Sequence, residues 1–225
     1  MKPQMTPSVR PALAVLASFV VATSAAACGN SGDAEQPQPD NPAGVVISDG
    51  WQDDTFKGAE PATPYEMPDL TLTATNGRDF NLVTDTAYPV TIVFFGYTHC
   101  RDVCLLVMSD LTQAMVQLPE EIRDQTQVVF ITTDPARDTP GVLRSYLDGY
   151  DGDFVGLTGD LHSIATAADG LDVAIEGKRT LPSGGYDVGH GAQVIGFRGD
   201  VAPVIWTQGT PVVDLVSDIT ALAAS

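Results

Sequence analysis

Short apolar runs alternate with amphipathic stretches along most of this chain. Leu70-Thr71-Leu72-Thr73 and Phe80-Asn81-Leu82 flank Asn76-Gly77, which predicts a β-hairpin about a turn dipeptide. Val90 to Phe95 is mostly β-branched and aromatic and predicts a buried strand. Apolar residues then recur at Cys104, Met108, Leu111, Met115 and Leu118, the spacing of one helix face. Gln127 to Thr132 reads as the next strand. Asp138-Thr139-Pro140 opens a helix to about Leu147, with proline at the tolerated first turn. Phe154 to Leu157 predicts a strand, Asp160 to Ala168 a helix, and Leu171 to Ile175 a strand. A Gly-rich loop, Gly177 to Gly189, leads to His190. Ala192 to Phe197 and Ala202 to Trp206 form a hairpin about Arg198-Gly199-Asp200, and Pro211 to Ala224 is a closing helix. Strands alternating with helices, with hairpins at the start and near the C-terminus, predict an α/β fold with a mixed central sheet.

The first residues read differently. Lys2 and Arg10 precede an apolar stretch, Ala12 to Ala22, that is short for a membrane span. Ala25-Ala26-Ala27 and Cys28-Gly29 follow, and small residues before a cysteine resemble the lipobox of bacterial lipoproteins. Residues 1–27 are thus expected to be a signal peptide and Cys28 a lipidated N-terminus. Residues 28–60 are rich in Gly, Pro, Asp, Gln and Asn and predict a flexible tether, leaving one domain over 61–225. Beyond Cys28 the chain carries 9 bases against 29 acids, a net charge of −20. Such a surface repels nucleic acid and anionic headgroups, and favours cationic partners or metal ions.

An odd cysteine count in an exported protein calls for an explanation. With Cys28 lipidated, Cys100 and Cys104 remain as a pair in an oxidising compartment. They bracket the predicted helix start after Val90–Phe95, where backbone N–H groups lower a thiol's pKa and raise its thiolate fraction. Core packing alone would account for Cys104 but not for Cys100. Two thiolates suit Cu(I), imidazole suits either copper state, and the same two sulfurs can close a disulfide. By spacing alone His190 reads as an ordinary loop histidine. His99 is expected to turn away from the pair, His162 to lie on the surface, and Met108 to fill the core. Asp134, Arg137 and Asp138 are expected to order their loop and cap the helix after it.

Several linked motifs resemble the Sco/SenC family: Gly96-Tyr97-Thr98-His99-Cys100 with Asp102-Val103-Cys104, Thr133-Asp134-Pro135-Ala136-Arg137-Asp138-Thr139-Pro140, Gly156-Leu157-Thr158-Gly159, and Val188-Gly189-His190. The resemblance runs from about Tyr65 to the C-terminus. It implies a thioredoxin-like fold on the outer face of the bacterial cytoplasmic membrane, and copper, as Cu(I) or Cu(II), held by Cys100, Cys104 and His190. It further implies help in assembling the dinuclear copper centre of cytochrome c oxidase. The implied partners are the oxidase's copper-bearing subunit, a copper donor protein and an extracytoplasmic thiol reductant. A metallochaperone of this kind need not be an enzyme. The alternative is a thiol–disulfide oxidoreductase using Cys100 and Cys104 as a redox disulfide. Arg101 and Leu105 stand where the family commonly has proline, and Gly189 where aspartate usually precedes the histidine. Arg101 is expected to depress the thiol pKa, and Gly189 to leave His190 without a carboxylate neighbour.

Overall fold

The computed structural model of the protein describes residues 55–86 and 88–224. Its elements are β1 (Tyr65–Glu66), β2 (Thr71–Ala74), β3 (Asp79–Asn81), β4 (Val90–Gly96), α1 (Val103–Gln117), α2 (Glu120–Arg123), β5 (Thr126–Thr132), α3 (Pro140–Leu147), β6 (Val155–Thr158), α4 (Leu161–Asp169), β7 (Ile175–Thr180), β8 (Tyr186–His190), β9 (Val194–Arg198), β10 (Val201–Trp206) and α5 (Val212–Ala224). Eight strands form one sheet in the order β1-β10-β9-β4-β5-β6-β2-β3, and β7 and β8 pair separately. Strands β4, β5 and β6 are parallel, with antiparallel β9 on one side and β2 on the other. The expected mixed, thioredoxin-like α/β sheet is what the chain forms.

Every residue of β4 is buried, as a central strand covered on both faces requires. The strand's alternation divides its side chains between two cores. Val90, Ile92 and Phe94 pack with Met108 and Leu111 of α1 and Ile219 of α5. Val93 and Phe95 pack on the other face with Leu72 and Ile164. The first hairpin turns as expected at Asn76-Gly77, where Gly77 takes a φ of +78° that glycine adopts at no steric cost.

Two expectations fail beyond α4. Residues 171–174 are a turn, not the start of a strand: Val173 N–H donates to Ala168 O at 2.9 Å and Asp172 takes a φ of 51°. Leu171 and Val173 are apolar because their side chains are buried there, while Asp172 and Ala174 between and after them are exposed. The Gly-rich loop is a second hairpin, β7–β8, whose largely exposed first strand carries no hydrophobic alternation to reveal it. Its turn uses Gly184 and Gly185, both at positive φ.

The expected signal peptide, Cys28 and most of the tether lie outside the described residues. The tether's last residues, 55–60, pack onto the domain, ahead of Pro61. Phe56 is buried, Ala59 bridges to Ile205, and Asp218 pins this segment from α5. That buried carboxylate accepts Lys57 N–H at 2.7 Å, Gly58 N–H at 2.8 Å and the Trp206 indole N–H at 2.7 Å. Asp218→Ala strands these donors, each at a cost of about 1–3 kcal/mol where it is buried. Urea unfolding of the variant should show a loss of about 2–4 kcal/mol with an unchanged m-value. Asp218→Asn, which keeps an acceptor oxygen, should lose less.

Candidate metal centre

The cysteines sit where β4 runs into α1. Gly96 ends the strand against Cys104: a Cβ there would lie 3.1 Å from its sulfur and 3.0 Å from the Phe130 ring. The chain turns with Cys100 N–H donating to Tyr97 O at 3.1 Å, and Asp102 caps α1 by accepting from Val103 N–H at 2.6 Å. Asp138, fully buried, holds the turn from behind. It accepts Thr98 N–H at 2.9 Å, Thr98 Oγ1–H at 2.6 Å and Thr132 Oγ1–H at 2.6 Å. Asp138 therefore braces the Cys100 loop and does not cap α3, whose N-cap is Thr139 with no side-chain bond.

Both cysteines are free thiols and both are buried. The first turn of α1 does what its position predicts, with Cys104 N–H donating to Cys100 Sγ at 3.4 Å. His190, at the end of β8, brings Nε2 to 3.4 Å from Cys104 Sγ. Its Nδ1 lies 2.7 Å from the Gly191 carbonyl. A carbonyl only accepts, so Nδ1 donates to it, and Nε2 is the ring nitrogen turned to the sulfur side. One ligand atom from each of Cys100, Cys104 and His190 lies within 4.8 Å of the others, and among the described residues no other such group forms. Donors sharing an ion at bond lengths of about 2.0–2.3 Å stand at most about 4.6 Å apart, so only a slight inward adjustment is needed. Cys100 and His190 line an open cavity of about 300 Å³ with Tyr97, Glu176 and Lys178, while Cys104 lies behind them.

The two thiols differ in character. The Cys104 thiol donating to Cys100 is the largest influence holding Cys100 down at about 5, with His190 and backbone N–H groups assisting against burial. The same pairing, with burial, pushes Cys104 up. Arg101, exposed in solvent, is not among the causes, contrary to the expectation placed on it. At Gly189 a Cβ would lie 2.7 Å from Glu176 Oε2, so a carboxylate from β7 occupies the space beside residue 189, while His190 Nδ1 meets the Gly191 carbonyl and not a carboxylate.

The remaining candidates fall outside the donor group. His99 is half-exposed, with Nδ1 3.0 Å from Thr98 Oγ1 and 3.9 Å from Asp138. His162 is exposed, and Met108 is fully buried in the core. Sequence reasoning missed Asp138 as a brace, Glu176 as a cavity wall and Tyr97, whose ring stands edge-on to His190 at 5.7 Å. Only the position of Tyr97 in a family-like motif could have pointed to it.

The SCO1/SenC family profile matches residues 59–222. A Stutzerimonas stutzeri protein named for copper binding is 41% identical over 99 residues, covering 44% of this chain and 48% of that protein. The chain matches about half the length of the curated relatives it resembles. Apo Sco1 from Thermus thermophilus superposes with a TM-score of 0.66 at 27% identity, covering 74% of this chain and 96% of that one. Copper-bound ScoI from Bradyrhizobium japonicum superposes with a TM-score of 0.60 at 26% identity, covering 70% and 96%.

The thiol asymmetry gives a pH signature. Alkylation of Cys100 in the native chain should titrate with a midpoint near 5, against 9.0 for an ordinary thiol, while Cys104 reacts only on unfolding. Because Cys100 is depressed in the fold, its contribution to stability is full above about 9 and disappears as pH falls through about 5. Cys104→Ala removes the largest cause and should move the midpoint upward. A native midpoint near 8.5 would contradict this.

Proposed function

This chain belongs to the SCO1/SenC family, and we propose that it is an extracytoplasmic copper chaperone, tethered to the membrane through Cys28. It takes copper on Cys100, Cys104 and His190 and helps assemble the dinuclear copper centre of cytochrome c oxidase. The observation that carries the reading is the convergence of two sulfurs and an imidazole nitrogen within 4.8 Å of one another. Soft sulfur selects Cu(I), the imidazole extends the site to Cu(II), and structural zinc would want a fourth protein ligand. Accessibility supports a carrier. An acceptor entering the cavity meets Cys100 and His190 first, with Cys104 behind, so ligands can be exchanged one at a time. The oxidase as destination is supported by the motif resemblance.

A second reading is favoured by the low pKa of Cys100. A thiolate at the cavity backed by a buried thiol is also the arrangement of a disulfide reductase. Cys100 thiolate attacks a target disulfide, a mixed disulfide forms and one target thiolate leaves. Cys104, giving up its proton, then closes the Cys100–Cys104 bridge and releases the second target thiol. The target gains two electrons and the pair loses two.

The membrane part of the reading rests on the sequence around Cys28, since among the described residues no helix is long and apolar enough to cross a membrane. Cys28→Ala should yield an unprocessed, non-acylated precursor in membrane fractions. Mass spectrometry of a mature N-terminus without diacylglycerol would contradict the tether.

Copper titration of the reduced full-length chain in detergent should give one equivalent bound per chain, as a single S₂N donor set requires. Cys100→Ser or Cys104→Ser should abolish tight Cu(I) binding, and His190→Ala should weaken mainly Cu(II). Oxidising the pair to a disulfide should abolish binding as well. Unchanged Cu(I) affinity in both serine variants would sink the assignment, and reduction of an oxidase copper-site disulfide without copper uptake would favour the second reading.

A further inference from the structure

His190 does not reach the cysteines on the main sheet. It ends β8, which pairs only with β7 among the described strands. The root of that hairpin is tied by Gly191 N–H donating to Ala174 O at 2.8 Å. Further out, Arg137 makes the closest contacts, with Lys178 Nζ also 4.4 Å from the centre of the Tyr186 ring and 4.0 Å from Asp134. Arg137 Nη1 donates to the Tyr186 carbonyl at 3.0 Å, and its guanidinium carbon lies 3.8 Å from the centre of the Tyr186 ring. Arg137 Nε pairs with Asp134, whose side chain is 1% exposed. Tyr186 closes the triangle, its hydroxyl donating to Asp134 Oδ1 at 3.0 Å. The same guanidinium lies 5.6 Å from the Tyr97 ring, the ring that abuts His190. Arg137 Nη2 is buried without a hydrogen-bond partner, and the attraction of the two ring faces for the cation compensates. Only a planar guanidinium can stack and donate in two directions at once.

We infer that Arg137 and Tyr186 are positioning residues that hold His190 at the cysteine pair and so set how well the site takes Cu(II). This rests on the copper reading above. Two thiolates on one helical turn can hold Cu(I) whether or not the hairpin is in place. Cu(II) prefers nitrogen and oxygen donors in a tetragonal arrangement and depends on the imidazole. Loosening the clamp therefore separates the two oxidation states, whereas a general loss of structure would weaken both.

The test uses the full-length reduced chain in detergent, titrated anaerobically with Cu(I) and with Cu(II) against competing chelators. Tyr186→Leu removes the ring and hydroxyl but leaves the Arg137–Asp134 pair. Its Cu(II) affinity should fall about 10–100-fold, with Cu(I) affinity held within about threefold. The sulfur-to-copper charge-transfer band should shift, and in the metal-free chain the amides of residues 186–190 should exchange faster. Arg137→Lys should fall between wild type and Tyr186→Leu. Arg137→Ala strands a buried carboxylate; should it fail to fold, Tyr186→Leu decides alone. Equal loss of both ions in Tyr186→Leu, or an unchanged Cu(II) affinity, would overturn the inference and leave the copper reading standing. A wild-type chain that binds neither ion would overturn both.

Discussion

Phe94 lies opposite Val194 where β4 and β9 run antiparallel. That register places the end of β4 that leads to the cysteines beside the start of β9, and hence beside the short link from His190. Contact between Cys104 and His190, 86 residues apart in sequence, follows from it. A slip of one residue would turn Ile195 and Phe197 out of their core. A slip of two would keep every side chain on its face yet carry His190 about 6.8 Å along the strand, beyond any shared ion. Gly196 fixes the neighbouring β9–β10 register in turn, because Trp206 packs above it so closely that a Cβ would meet its ring at 2.5 Å. The donor geometry is thus inherited from packing remote from the donors.

Three buried carboxylates then fix what the sheet leaves free. Asp218 secures the segment entering the domain, Asp138 the loop before Cys100, and Asp134 the hairpin that carries His190. Asp218 and Asp138 are satisfied largely by neutral N–H and O–H donors, while Asp134 pairs with Arg137 and has Lys178 Nζ 4.0 Å away. Buried ionic groups are poor evidence of net stabilisation, because desolvation offsets much of the attraction. Their consequence here is conformational. Each accepts donors from segments distant in sequence, and any other arrangement of those segments would strand the carboxylate.

The elements that position the cysteines were legible because they obey simple periods. Val90–Phe95 and Gln127–Thr132 are unbroken enough to be buried strands, and the stripe from Cys104 to Leu118 is a helix face. The β7–β8 hairpin was not legible, since Glu176 to Thr180 are all exposed and nothing in their polarity distinguishes strand from loop. His190 follows from that failure: its role depends on strand pairing, and the sequence offered it only through a family-like motif. The partners of Asp138 and Asp134 were hidden for a related reason. Thr98 precedes Asp138 by 40 residues and Tyr186 follows Asp134 by 52, so the local reading of these aspartates as loop and cap residues could not find them. Arg101 misled in the opposite direction, because a cation adjacent in sequence points into solvent.

The protonation states join the site's two chemistries. With Cys100 depressed to about 5 and Cys104 raised, the pair at neutral pH holds one thiolate and one thiol sharing a proton. An arriving cation has to displace the proton held between the sulfurs, and it replaces that proton's attraction with its own. Disulfide formation requires removal of the same proton, since Cys104 must ionise before it can attack a sulfur held on Cys100. Metal uptake and disulfide closure thus both require loss of the Cys104 proton, and occupancy by a cation withdraws both sulfurs from exchange. A site whose second thiol were already ionised would lose this coupling, because oxidation would then proceed without competing for the proton that metal binding displaces.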